Sequence, residues 1–105
     1  MRYGFLGAAI ALLGSVAPSG GSHSGAEVRI ANYHFTPDSV TIHAGEAVHW
    51  TNGDHIKHTI TFEGAEEGSP FVPEGATYSH RFDKPGVYRY HCRPHSYMKG
   101  VVVVR

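Results

Sequence analysis

In the run YHCRPHSYMKG, residues 90–100, the chain places its one cysteine, two of its nine histidines and one of its two methionines. Cys92, His95 and Met98 recur at every third position. Three readings are open: three quarters of a metal site, a nucleophilic thiol with a neighbouring base, or a chance of loop composition. A thiol enzyme would also need an oxyanion-stabilising loop and a third residue to orient the base. Neither is visible in the sequence.

The ligand chemistry favours a particular metal. A thiolate, an imidazole and a thioether suit copper, which accepts sulfur when reduced and nitrogen when oxidised. Magnesium and calcium prefer oxygen, and zinc would take the cysteine and histidine but gains little from methionine. Electron-transfer copper centres use two histidines and a cysteine in a trigonal plane with a weak axial methionine, so a second histidine is required. His58 opens the alternating run HTITF directly after the turn-like NGDHIK, at a strand entry where the loops of a sandwich collect. His55, inside that loop, is the competitor and a candidate for a second, adventitious ligand.

A spacing of three on an extended strand would send successive side chains to opposite faces. The chain must therefore leave its strand at Cys92 and curl. Pro94, with a fixed φ and no N–H, and the permissive Gly100 fit a tight loop between two strands.

The elements that would hold this loop read as all-β. From Ala26 onward, short runs rich in Val, Ile, Thr, Tyr and Phe alternate with Gly, Pro, Asn and Asp. Strands are predicted at 27–34, 38–43, 46–52, 58–63, 76–82, 86–92 and 100–104. Val40 and Ile42, Val48 and Trp50, and Ile60 and Phe62 would face one side. Short antiparallel strands of this number suggest a two-sheet Greek-key β-sandwich. The closing GVVVV, apolar on both faces, suits a central strand. Trp50, Phe82, Tyr88 and Tyr90 read as core or strand-pairing residues, and Glu63, Glu66 and Glu67 as a solvated loop.

The first 17 residues, MRYGFLGAAIALLGSVA, have the basic start, apolar run and small residues of a secretory signal. The apolar run is too short for a membrane span, which needs roughly 20 residues. Residues 18–25 read as a flexible leader, and 26–105 as one domain. A periplasmic or secreted location follows, where a lone thiol is open to oxidation unless something occupies it. Nine acidic and nine basic residues give no net charge, so no overall field points to nucleic acid or an anionic membrane. His23, His34, His43, His49, His80 and His91 leave a copper carrier or store as the alternative to an electron carrier. Most of them read as solvent-facing or hydrogen-bonded, with His91 turned away from Cys92.

The segments VHWTNGDHIKHTITF and GVYRYHCRPHSYMKGVVVV together resemble the cupredoxin (blue-copper) family, its amicyanin branch most, and plastocyanin and pseudoazurin more loosely. The likeness covers roughly residues 27–105, and Trp50 stands eight positions before His58 as in that family. It implies the ligands His58, Cys92, His95 and Met98, one copper ion, a monomer without enzymatic activity, and redox protein partners that dock at the exposed edge of His95. Pro94, Tyr97 and Ile56 would form the apolar rim there, with Lys57, Arg93 and Lys99 adding positive charge. Two departures stand out. Thr59 replaces the family's usual Asn beside the sulfur, with a hydroxyl and N–H suited to similar work. The stretch EGAEEGSPFVPEG is shorter than its counterpart, so a strand there would shrink to a loop.

Overall fold

The computed structural model describes residues 25–105; the expected signal segment and the leader as far as Ser24 lie outside them. Gly25, expected in the leader, already begins the first strand. Eight strands follow: β1 Gly25–Ala31, β2 His34–Thr36, β3 Ser39–Ile42, β4 Ala47–Asn52, β5 Thr61–Phe62, β6 Thr77–Arg81, β7 Gly86–His91 and β8 Lys99–Val104. They form two four-stranded sheets, in the orders β2-β1-β4-β6 and β3-β8-β7-β5. Only the β1–β2 and β7–β8 connections stay within one sheet. The result is the expected all-β sandwich, and no helix among the described residues is long and apolar enough to cross a membrane.

Strand direction departs from the all-antiparallel expectation. β1 runs parallel to β4, with Val28 opposite Trp50, and β3 runs parallel to β8, with Val40 opposite Val102. Alternation predicts which residues face inward but carries no sign of strand direction. The expected strand 27–34 also breaks. Asn32 and Tyr33 adopt left-handed φ values of 53° and 61°, turning the chain into the β1–β2 hairpin. Strand 58–63 contracts to Thr61–Phe62, because His58 is claimed by an isolated bridge to Val72.

Burial follows the alternation. Val40, Ile42, Val48, Trp50, Ile60 and Phe62 are all in the core, and β8 lies between β3 and β7 as a central strand. Aromatic rings fill the space between the sheets edge to face: Trp50 with Tyr90 at 5.4 Å, Phe35 with Tyr90 at 4.8 Å, and Phe62 with Phe82 at 5.7 Å. Such pairs add about 0.5–1.5 kcal/mol beyond area burial. Gly100 is needed inside β8 rather than for loop freedom. It pairs with Tyr90 across the sheet, and a Cβ there would stand 2.3 Å from the phenol ring.

Tyr90 makes the core sensitive to alkali. Its hydroxyl and the Trp50 indole N–H are buried without a hydrogen bond of good geometry. Burial lifts the phenol, the nearby indole opposes this, and the Asp38 charge adds to the rise, leaving it at about 12. The folded state therefore favours the neutral phenol. Its contribution is complete below about pH 10 and is lost as pH climbs towards 12, at about 1.4 kcal/mol per unit. Urea unfolding of Tyr90→Phe should show a change below about 1 kcal/mol at neutral pH and a shallower alkaline loss than the parent.

Candidate metal centre

The loop between β7 and β8 is folded by its own backbone. His95 N–H donates to Cys92 O at 3.2 Å and Met98 N–H to His95 O at 2.8 Å, two successive three-residue turns. Cys92 N–H then donates to Met98 O at 3.1 Å and closes the loop base. This is the curl required by the spacing of three. Cys92 is fully buried, Met98 is 2% exposed, and His95 is half-buried between the exposed Pro94 and Tyr97.

His58 arrives from the other side, fully buried. Its backbone exchanges two hydrogen bonds with Val72, at 3.2 and 2.8 Å. The 63–75 segment thus contributes a single bridge, at Val72, rather than a strand. The Nδ1 atoms of His58 and of His95 each lie 3.5 Å from Cys92 Sγ, and the three ligand atoms fall within 4.8 Å of one another. One ion with bonds of about 2.0 Å to nitrogen and about 2.3 Å to sulfur spans such separations. The donor set and its spacing fit a metal.

Thr59 performs the work expected of it. Its N–H donates to Cys92 Sγ at 3.4 Å, and its hydroxyl oxygen accepts from Arg93 N–H at 2.8 Å. One residue thereby ties the His58 segment to both the sulfur and the start of the metal loop.

The remaining histidines lie elsewhere. His55 is exposed and pairs with Glu74 at 2.8 Å. His49 bonds Ser79 at 2.6 Å, and His91 stands 3.8 Å from Glu63. His80 is clipped to Glu66, so part of the loop read as solvated is tied to β6. His23 lies outside the described residues.

This chain matches the family model described as a cupredoxin-like domain over residues 4–104. It belongs to the cupredoxin-like family. Among its relatives, amicyanin-alpha of Methylorubrum extorquens is 42% identical over 93 residues, covering 84% of this chain and 75% of the relative. Plastocyanin of Scenedesmus fuscus is 39% identical over 98 residues, covering 81% and 94%. A purple cupredoxin from Nitrosopumilus maritimus superposes with a TM-score of 0.72 at 29% identity, over 77% of this chain and all of that one.

Two neighbours of this cupredoxin's site carried no signal that the sequence reading used. The Tyr33 ring meets His58 edge-on at 5.4 Å and His95 at 5.0 Å. Asp54 accepts from His58 Nε2–H at 2.9 Å. Its position four residues before His58 in a turn was the available clue; Tyr33 is too far along the chain to offer one. Burial alone would raise the Asp54 carboxyl. Hydrogen bonds from Tyr33 N–H, His58 and Asn32 N–H outweigh that and hold it below its usual value.

The surroundings of His95 are more aromatic than the expected rim: the exposed Tyr33 and Tyr97 rings lie 5.0 and 6.3 Å from its ring. Ile56 and Phe71 are exposed as well. Lys57 Nζ lies 4.5 Å from the Phe71 ring centre and the Arg93 guanidinium carbon 5.4 Å from it. Phe71 gathers two cations beside the metal loop.

Proposed function

We propose that His58, Cys92, His95 and Met98 would together hold one copper ion, Met98 as the weakest of the four ligands, and that this cupredoxin carries single electrons between protein partners. The observation that supports this most directly is the pair of imidazole nitrogens, each 3.5 Å from one buried cysteine sulfur. Bound copper supplies a one-electron couple, Cu(II)/Cu(I). The chain's part is to keep the ligands still. His58 is fixed by its bridge to Val72, Cys92 by the loop base, and His95 by the turn that starts at Cys92. A site already arranged for both oxidation states reorganises little on electron transfer. The N–H of Thr59 withdraws charge from the sulfur, which raises the potential, and the buried surroundings of Cys92 keep water away.

Electrons would enter and leave at the half-exposed His95. Residues 1–17 would export the chain to the periplasm or the exterior, and residues 18–24 would lead into a domain that works as a monomer without transforming a substrate. With Lys57, Arg93 and Lys99 near the docking face, a partner with an acidic surface is expected. Its electron-transfer rate should fall steeply between low salt and about 0.15 M, where screening acts over about 8 Å. A salt-independent rate would remove the charge argument.

Voltammetry of the copper-loaded protein in the presence of a copper chelator tests the function. A reversible one-electron wave with the metal retained over many cycles is the expected result. Ready loss to the chelator would make the protein a copper carrier or store instead.

A further inference from the structure

The Asp54 carboxylate ties the Asn32–Tyr33 turn, more than twenty residues away, to His58, four residues further along the chain. Its Oδ1 accepts Asn32 N–H at 2.7 Å, and its Oδ2 accepts Tyr33 N–H and His58 Nε2–H, both at 2.9 Å. Its own N–H donates to the buried Asn52 side chain at 2.8 Å. An ionised carboxylate is an acceptor only, so His58 must carry its proton on Nε2. The Nδ1 lone pair is then left facing Cys92. The reverse tautomer would place a nitrogen lone pair against a carboxylate oxygen.

The other arm acts through the backbone. Asn32 and Tyr33 both hold left-handed φ, an uncommon conformation for tyrosine. Both of their N–H groups converge on this one carboxylate. The turn it stabilises is the one that lays the Tyr33 ring across His58 and His95. Among the described residues no carboxylate stands behind His95 in this way.

We propose that Asp54 is the positioning residue of the centre, fixing the tautomer and aim of His58 and, through the Asn32–Tyr33 turn, the ring packed on both imidazoles. This rests on His58 being a ligand. A negative charge one imidazole away from the metal also favours the higher oxidation state. Groups that orient a ligand histidine typically change metal affinity by about 10- to 100-fold when removed.

Two measurements test the proposal. In metal-free protein, nitrogen-15 NMR should find His58 as the Nε2–H tautomer; the Nδ1–H tautomer would overturn the proposal without any variant being needed. In Asp54→Asn, Cu(II) affinity should fall about 10- to 100-fold and Cu(I) affinity by less, so that the midpoint potential rises. Asp54→Glu should recover most of both. Equal losses for the two oxidation states with an unchanged potential would reduce Asp54 to a loop support and overturn the assignment. Parent protein that forms no thiolate–copper band would defeat the proposed function itself. A normal parent with an indistinguishable Asp54→Asn variant would defeat only the role of Asp54.

Discussion

Cys92→Ala is expected to leave a folded protein that has lost its intense visible absorption and its firm hold on copper. The sulfur is the one atom that both imidazole nitrogens approach at 3.5 Å. Two histidines without a thiolate make an ordinary nitrogen site, open to exchange. The fold should survive because Cys92 is a small side chain at the end of an aromatic core built by Trp50, Phe62, Phe82 and Tyr90. It will not survive unchanged. Thr59 N–H donates to the sulfur, and a buried donor without its acceptor costs about 1–3 kcal/mol. Absorption titrated with Cu(II), together with a urea midpoint, reads both effects. A variant that kept the visible band would place the chromophore on other residues.

Asn52→Ala is expected to cause the larger loss of stability, about 2–4 kcal/mol by urea unfolding, from a total that is about 5–15 kcal/mol in domains of this kind. Asn52 is fully buried at the end of β4. Its amide donates to Ile56 O and Val72 O, both at 2.9 Å, and its oxygen accepts from Asp54 N–H at 2.8 Å. Alanine leaves three backbone groups without these partners. Those groups belong to the 53–57 loop and to the residue bridged to His58, so copper affinity should fall together with stability. Asn52→Asp keeps the acceptor but loses both donors and should not rescue. A change below 1 kcal/mol would mean that water replaces the side chain at little cost.

The sequence was most informative where function depends on local geometry. Cys92, His95 and Met98 could be read as one group because a spacing of three makes sense only if the chain curls, and the curl is made by hydrogen bonds between those same residues. The inward faces were likewise legible from the alternation of Val48 with Trp50 and Val40 with Ile42. Strand direction was not, since parallel β1–β4 and β3–β8 pairs arise from how distant segments meet. The far half of the His58 support was hidden for the same reason, although Asp54 itself stands only four residues before His58. Asp54 reaches Asn32 and Tyr33 across more than twenty residues, and Phe71 meets Lys57 and Arg93 only after the 63–75 segment has crossed the site. Polar partners chosen by tertiary contact leave no periodic trace.

One thiolate and two imidazoles binding one copper ion would be seen on adding one equivalent of Cu(II) to the purified protein and recording visible absorption with electron paramagnetic resonance. An intense thiolate-to-copper band with narrow copper hyperfine splitting, saturating at one copper per chain, is expected. A pale solution with an ordinary Cu(II) resonance would contradict such binding, and would place the metal on surface histidines such as His55 rather than at Cys92.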